Sequence, residues 1–160
     1  PSVFGDPALL LPRFYTPKRM EKRYKLGVIP HVIDWDYDVM RKIRKERNDI
    51  LVIDLAHYDK WTDVIDQICS CEAIASSSLH GLIVSDAYNV PNCWITLSGK
   101  ISGGLFKYFD YFSSVGREEA GPEKVEHMSD LQTIENKMVS WKPITIDTDP
   151  ILNSCPFYRA

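Results

Sequence analysis

The chain has 160 residues, with 19 basic and 22 acidic side chains and a formal net charge of −3. This length predicts a single domain, and a hydrophobic content of 44% with 26% charged residues excludes a disordered chain. The slight acidic excess disfavours a nucleic-acid surface, which usually carries a basic stripe.

Location and redox state are constrained by what the chain lacks. No stretch approaches the ~20 apolar residues of a membrane span, and the first residues lack the basic and apolar blocks of a secretion signal. We therefore expect a cytoplasmic protein. The four cysteines have neither CxxC spacing nor the density of a disulfide scaffold, so they are expected to be free thiols. Because the chain starts without methionine, in what reads as helix-capping sequence, we expect a fragment of a longer protein.

Along the chain, apolar strand-like runs alternate with longer stretches of helical period, the pattern of parallel βαβ units. Residues 1–23 are expected to form a linker helix region and residues 24–160 one Rossmann-like domain. The predicted strands are Tyr24–Ile29, Asp49–Asp54, Glu72–Ala75, Pro91–Leu97 and Lys142–Ile146. The predicted helices are Asp36–Arg47, Trp61–Ser70, Leu79–Tyr88, Leu105–Phe112 and Asp130–Val139. The fold class is therefore α/β, a mostly parallel sheet with helices on both faces.

Two segments of the second half are harder to interpret. Phe106, Phe109 and Phe112 recur at a spacing of three and are expected to form a core-facing stripe, with tyrosines beside it. Residues 117–129 are polar and contain Gly121-Pro122, which predicts either a mobile connection or a loosely held helix start.

The most informative stretch is residues 73–84, where a short apolar strand breaks into Ser76-Ser77-Ser78 and His80 as a helix begins. A helix N-terminus presents unpaired backbone N–H groups and a partial positive charge, so this turn is a candidate anion site. The serines can cap the helix or donate to the anion, and His80 can carry a proton near neutral pH. The competing interpretation is an ordinary serine cap followed by a surface histidine.

Ligands of open α/β sheets bind outside the carboxyl ends of the strands. His31 follows the first predicted strand, His57 the second and Ser98-Gly99-Lys100 the fourth. If the first and third strands are neighbours, His31 and His80 would converge on the serine-lined helix start. His31 can equally be a turn residue after Pro30, and nothing around His57 indicates chemistry.

Three segments carry a resemblance to one protein family in the same order along the chain: residues 5–12, 25–34 and 76–87, with a weaker one at 104–114. The chain resembles the polysaccharide pyruvyl transferases, particularly the exopolysaccharide branch. Many members carry Arg-Leu-His-Gly where this chain has Ser78-Leu79-His80-Gly81. The resemblance implies two Rossmann-type domains facing across a cleft, as in GT-B glycosyltransferases. These motifs belong to the C-terminal, donor-binding half, and Asp6-Pro7 fits the helix linking the two halves.

The implied reaction transfers a pyruvyl group from phosphoenolpyruvate to two sugar hydroxyls, forming a cyclic ketal and releasing phosphate, with no obligatory metal and no cofactor. On this resemblance, His80 is the expected phosphate ligand or general acid and His31 a second cationic donor. Ser77 and Ser78 are expected phosphate contacts. Further substrate-binding candidates are Ser76, Leu79, Gly81 and Asp6. The acceptor would be a sugar or a lipid-linked oligosaccharide, which also admits peripheral association with the inner membrane.

Two alternatives remain at this point. The same helix start could hold the phosphates of a nucleotide sugar in a GT-B-type glycosyltransferase, or a phosphorylated metabolite in a non-catalytic binding module. A dinucleotide-dependent dehydrogenase is disfavoured, because no G-x-G-x-x-G follows the first predicted strand.

Overall fold

A computed structural model describes residues 3–18, 21–100 and 104–157. The strands are β1 Tyr24–Ile29, β2 Ile50–Val52, β3 Cys71–Ser76, β4 Asn92–Thr96 and β5 Glu123–Lys124. The α-helices are α1 Leu11–Phe14, α2 Asp38–Glu46, α3 Trp61–Cys69, α4 Leu79–Ala87, α5 Phe106–Ser114, α6 Asp130–Met138 and α7 Asp149–Asn153. Two 3-10 helices add Pro7–Leu10 and Val32–Asp34.

The five strands form one sheet in the order β2-β1-β3-β4-β5, and every pair is parallel. The chain passes from β1 to β2 on one side and then crosses to β3 on the other side of β1. This reversal makes the boundary between β1 and β3 the switch point of the sheet, where a crevice opens at the carboxyl ends of the strands. The α/β fold with a Rossmann-like parallel sheet is confirmed.

Both faces of the sheet are covered by helices, as continuous aliphatic strands require. One face packs against α2 and α6 through residues that include Met40, Ile43 and Ile134. The other face packs against α3 through Ile65 and Ile68. On that same side, Trp94 of β4 joins a second cluster formed by α4, α5, α7 and the 3-10 helix that begins at Pro7.

The predicted strand Lys142–Ile146 is wrong, because no strand forms there. Instead β5, within the segment expected to be a mobile connection or a helix start, pairs with Ile95 and Thr96 of β4. The position beside β4 is thereby taken, and Pro143 lacks the N–H that a ladder needs. Ile144 and Ile146 still pack against the core.

The predicted phenylalanine stripe is wrong at two of its three positions. Phe106 and Phe109 are 77% and 39% exposed, whereas Tyr108, Tyr111 and Phe112 form the buried face of α5. These three positions follow the i, i+3, i+4 spacing of a helix face. The tyrosines can be buried because their hydroxyls have acceptors, Tyr108 donating to the Ser77 carbonyl and Tyr111 to Asp86.

Among the described residues, no helix combines the length and the hydrophobicity that a membrane span requires.

Candidate functional site

The turn between β3 and α4 is held by the hydroxyl of Ser76. Its Oγ accepts a hydrogen bond from the Ser78 N–H at 3.1 Å, and its proton lies within reach of the Ser78 and Ile29 carbonyls at 2.8 and 3.2 Å. Ser78 is the N-cap of α4, but its hydroxyl makes no capping bond to the helix. The half-buried Ser78 hydroxyl and the first N–H groups of α4 therefore remain for an acceptor from outside the helix.

Gly81 allows α4 to lie unusually close to the strands. A Cβ at this position would stand 2.3 Å from Ser76 Oγ and 3.1 Å from the side chain of Ile29. Because atoms at such distances overlap, any larger residue would push the helix away from β1 and β3. Gly81 is buried, so it shapes the turn and offers no side chain to a ligand.

The neighbouring strand β1 brings His31 to the same turn. The His31 backbone N–H donates to Ser77 Oγ at 2.8 Å, and the Ser77 N–H donates to the Ile29 carbonyl at 3.0 Å. The His31 ring caps the next 3-10 helix, its Nδ1 accepting from the Ile33 N–H at 3.4 Å. In the neutral ring this leaves the proton on Nε2. His31 is half-buried at the crevice between β1 and β3.

Sequence reasoning assigned no role to Asp34, which is 0% exposed behind this crevice. Its carboxylate accepts a hydrogen bond from the Ser98 hydroxyl and a longer one, 3.5 Å, from the Ser77 hydroxyl. No lysine or arginine of the described ranges forms an ion pair with it. Asp34 thus joins the loops that follow β1, β3 and β4. Composition cannot signal this, because aspartates are mostly exposed.

The remaining predicted site residues have different environments. His80 is exposed in the first turn of α4, whereas Leu79 is half-buried against the core. The hydroxyls of Ser76 and Ser77 are fully buried and bond within the protein. Asp6 caps the 3-10 helix at Pro7 by accepting from the Ala8 N–H at 2.8 Å. It also lines a cavity of about 670 Å³. The wall of this cavity includes Leu79, the residue that precedes His80 in the sequence.

The other titratable candidates lie apart from this turn. His57 is exposed beyond β2 and contacts the Asp54 carboxylate at 3.0 Å. Burial raises the pKa of the Cys69 thiol to about 11 and those of Cys71 and Cys93 to about 12. None of these three thiols is therefore a nucleophilic thiolate at neutral pH. The described residues contain no cluster of three or more His, Cys, Asp or Glu side chains able to hold a metal ion.

Comparison with known proteins gives two matches. A family model described as polysaccharide pyruvyl transferase matches residues 1–99. An uncharacterised protein of Acanthamoeba polyphaga mimivirus is 30% identical over 153 residues, which is 94% of this chain and 53% of that protein. The chain therefore spans about half the length of this curated relative. No solved structure matches the chain.

Proposed function

The chain belongs to the polysaccharide pyruvyl transferase family, and from that premise we propose that it is the donor-binding half of a transferase that uses phosphoenolpyruvate. The product would be a sugar carrying a pyruvate ketal, and the facing domain of a GT-B-type pair would supply the sugar or lipid-linked oligosaccharide. The observation that carries this proposal is the start of α4 at the β1–β3 switch point, with an uncommitted Ser78 hydroxyl and an exposed His80.

This arrangement supports binding of a phosphate. The unpaired N–H groups of the first turn of α4 donate to anions, and the helix dipole adds to the attraction. The Ser78 hydroxyl stands beside them, and a protonated His80 adds a charge-assisted donor. Ser78 replaces the arginine of many relatives, so another cation must balance the donor's charge. Lys100 is a candidate for this cation, since it follows the neighbouring strand β4. Its backbone N–H donates to Ser98 Oγ.

The buried serines take a positioning role in this proposal. Ser76 sets the turn that presents Ser78, and Ser77 connects the His31 backbone to Asp34. The His31 ring would then contact phosphoenolpyruvate, and its Nδ1 already accepts a hydrogen bond from the Ile33 N–H. The Nε2–H of the neutral ring could donate to a phosphate or carboxylate oxygen of this substrate.

The reaction needs one acid, and it needs hydrogen-bond donors for the phosphate and for the carboxylate of phosphoenolpyruvate. A proton delivered to the methylene carbon of phosphoenolpyruvate makes its C2 electrophilic, and the first sugar hydroxyl attacks that carbon. The C2–O bond to phosphate then breaks, phosphate takes the electron pair, and the second hydroxyl closes the ketal. The two hydroxyl protons replace the one given by the acid and protonate the departing phosphate. His80 fits the acid, because an imidazole exposed at the start of α4 can donate a proton to a bound ligand.

The first test is binding of phosphoenolpyruvate, measured by titration calorimetry with the chain. We expect saturable binding that exceeds the binding of any nucleotide or nucleotide sugar in a panel. His80→Ala should weaken it by about tenfold to a hundredfold, the value of a charge-assisted hydrogen bond. The matched control is His57→Ala, which removes another exposed histidine, in the loop after β2, and should leave the affinity unchanged.

The second test is phosphate release from phosphoenolpyruvate by the intact protein with a sugar acceptor. His80→Ala should lower the rate by about 10²- to 10³-fold, as for other preorganised donors, with its thermal unfolding unchanged. A preference for nucleotides would instead support the glycosyltransferase alternative. Binding without turnover would support the non-catalytic module, and normal turnover by His80→Ala would remove this residue from the mechanism.

A further inference from the structure

The loop that follows β4, residues 98–100, lies against the turn between β3 and α4. The carboxylate of Asp34 joins the two, because its Oδ1 accepts from the Ser98 hydroxyl and its Oδ2 from the Ser77 hydroxyl at 3.5 Å. Ser77 and Ser98 follow neighbouring parallel strands, β3 and β4, at their carboxyl ends. The loop after β4 is therefore held beside the turn that begins α4.

Asp34 can position this loop, but it cannot itself contact a ligand. Its side chain is 0% exposed, and a buried carboxylate that lost its hydrogen-bond partners would be costly. The Ser98 Oγ that donates to Asp34 also accepts from the Lys100 N–H at 3.2 Å. The backbone of Lys100 is thus tied to the interior through two hydrogen bonds, while its side chain is exposed.

Lys100 adds a positive charge to this rim of the sheet. Within the part of the chain that the structure describes, its ammonium forms no ion pair. The Ser78 hydroxyl and the first N–H groups of α4 are neutral donors, and the rings of His31 and His80 carry charge only when protonated. A lysine ammonium is charged throughout the neutral range. It can therefore pair with an anionic group whether or not the histidines are protonated.

We propose that Lys100 binds the carboxylate of phosphoenolpyruvate, and that Asp34 and Ser98 are positioning residues that hold it there. This inference rests on the function proposed above and assigns the two anionic groups of the donor to two loops. The start of α4 takes the phosphate, and the loop after β4 takes the carboxylate. Neighbouring strands lie about 4.8 Å apart, a separation that a small molecule carrying both groups on one carbon can span. Lys100 then distinguishes phosphoenolpyruvate from phosphates that lack a carboxylate.

The test compares the affinities for phosphoenolpyruvate and for inorganic phosphate, measured by titration calorimetry with the 160-residue chain. The wild-type chain should bind phosphoenolpyruvate more tightly. Lys100→Met should weaken its binding by about tenfold to a hundredfold, the value of a charge-assisted hydrogen bond, and should change the affinity for phosphate far less. The control is Lys42→Met, which removes an exposed lysine of α2 and should leave both affinities unchanged.

Ser98→Ala tests the positioning role, because it removes the link between Asp34 and Lys100 and keeps both charged groups. Binding of phosphoenolpyruvate should weaken by about threefold to tenfold, the value of one neutral hydrogen bond. In the Lys100→Met background the same substitution should have no further effect, since no ammonium is left to position. Ser114→Ala is the control, because this half-buried hydroxyl bonds within α5.

The outcomes separate this inference from the function on which it rests. Circular dichroism first verifies that each variant is folded. Phosphoenolpyruvate binding by Lys100→Met that equals the wild type overturns this inference alone, as does an equal loss of affinity for phosphate. Additive effects of the Ser98 and Lys100 substitutions overturn the positioning role. A wild-type chain that binds no phosphoenolpyruvate overturns the proposed function together with this inference.

Discussion

Ser77 is the residue on which the candidate donor site depends most. Its hydroxyl accepts from the His31 N–H and faces Asp34, while its carbonyl accepts from the Tyr108 hydroxyl at 2.7 Å. Three different elements thus meet at one buried serine. The sequence marks Ser77 as a possible ligand contact, but it cannot reveal burial, which turns the same hydroxyl inward. The sequence also predicts His80 as a site residue, and the structure places it exposed in the first turn of α4.

Asp34→Asn tests whether this buried network holds the site together. An amide offers one acceptor where the carboxylate serves two serine hydroxyls, so one buried group loses its partner. We expect the free energy of unfolding to fall by about 1–3 kcal/mol, measured by urea denaturation. The exposed Asp59→Asn should change it by less than about 0.5 kcal/mol. Equal stability of the two variants would show that the Asp34 carboxylate does not hold the loops.

At the scale of elements, a buried ion pair joins the end of α4 to the segment after α5. The Asp86 carboxylate accepts from Arg117, from Asn92 Nδ2 and from the Tyr111 hydroxyl, at 2.7 to 2.8 Å. Its side chain is fully buried, and the Arg117 guanidinium also lies over the ring of Phe112. Burial and Asp86 together raise the pKa of Tyr111, so its phenol keeps donating at any ordinary pH.

Arg117→Met should leave Asp86 buried without its cation. The expected loss of unfolding free energy is about 3–5 kcal/mol, the cost of breaking a buried pair from one side, again by urea denaturation. Adding Asp86→Asn should recover part of that loss. Arg13→Met is the matched control, because the pair of Arg13 with Asp149 is exposed and contributes about 0–1 kcal/mol. A loss for Arg117→Met no larger than the control's would contradict this account.

An element can be predicted from the sequence when the residues that determine it are neighbours in the chain. The span Tyr24–Ile29 is predicted with its observed ends, because an apolar run stopped by Pro30 determines them locally. The two-residue strand β5 carries no such signal, since it exists only through its pairing with β4. The sequence predicts the tyrosines of α5 beside the buried stripe and not within it, because their acceptors, Ser77 and Asp86, lie far away in sequence. Helix α7 is absent from the predicted helices, although it begins with Asp149-Pro150, which is a readable start signal.

At the scale of the whole molecule, the sheet order is the feature that sequence leaves open. Alternating strands and helices predict a parallel sheet, but only the observed β1–β3 pairing brings the His31 backbone to Ser77. The core also extends past the stretch that the family model matches. Val125, Leu131 and Ile134 cover one face of the sheet, and Ile151 and Leu152 complete the other side.

A chain ending at residue 99, where the family match ends, should therefore fail to fold. It would lose α5, α6 and α7 and expose Trp94 and Ile95. We expect no cooperative thermal transition by circular dichroism and little protection of strand amides from hydrogen exchange. A chain ending at residue 154 retains every strand and helix that the structure describes and should unfold cooperatively. A cooperative transition in the shorter chain would show that residues 1–99 hold a core of their own.

The bond from Tyr108 to the Ser77 carbonyl ties the rim of the sheet to α5. Burial, reinforced by the Asp34 carboxylate, raises the pKa of Tyr108 to about 12, so the phenol keeps its proton well into alkaline conditions. The opposite side of α5 presents Phe106 and Phe109 to solvent. One helix and one hydrogen bond therefore separate these exposed rings from the turn that presents Ser78 and His80.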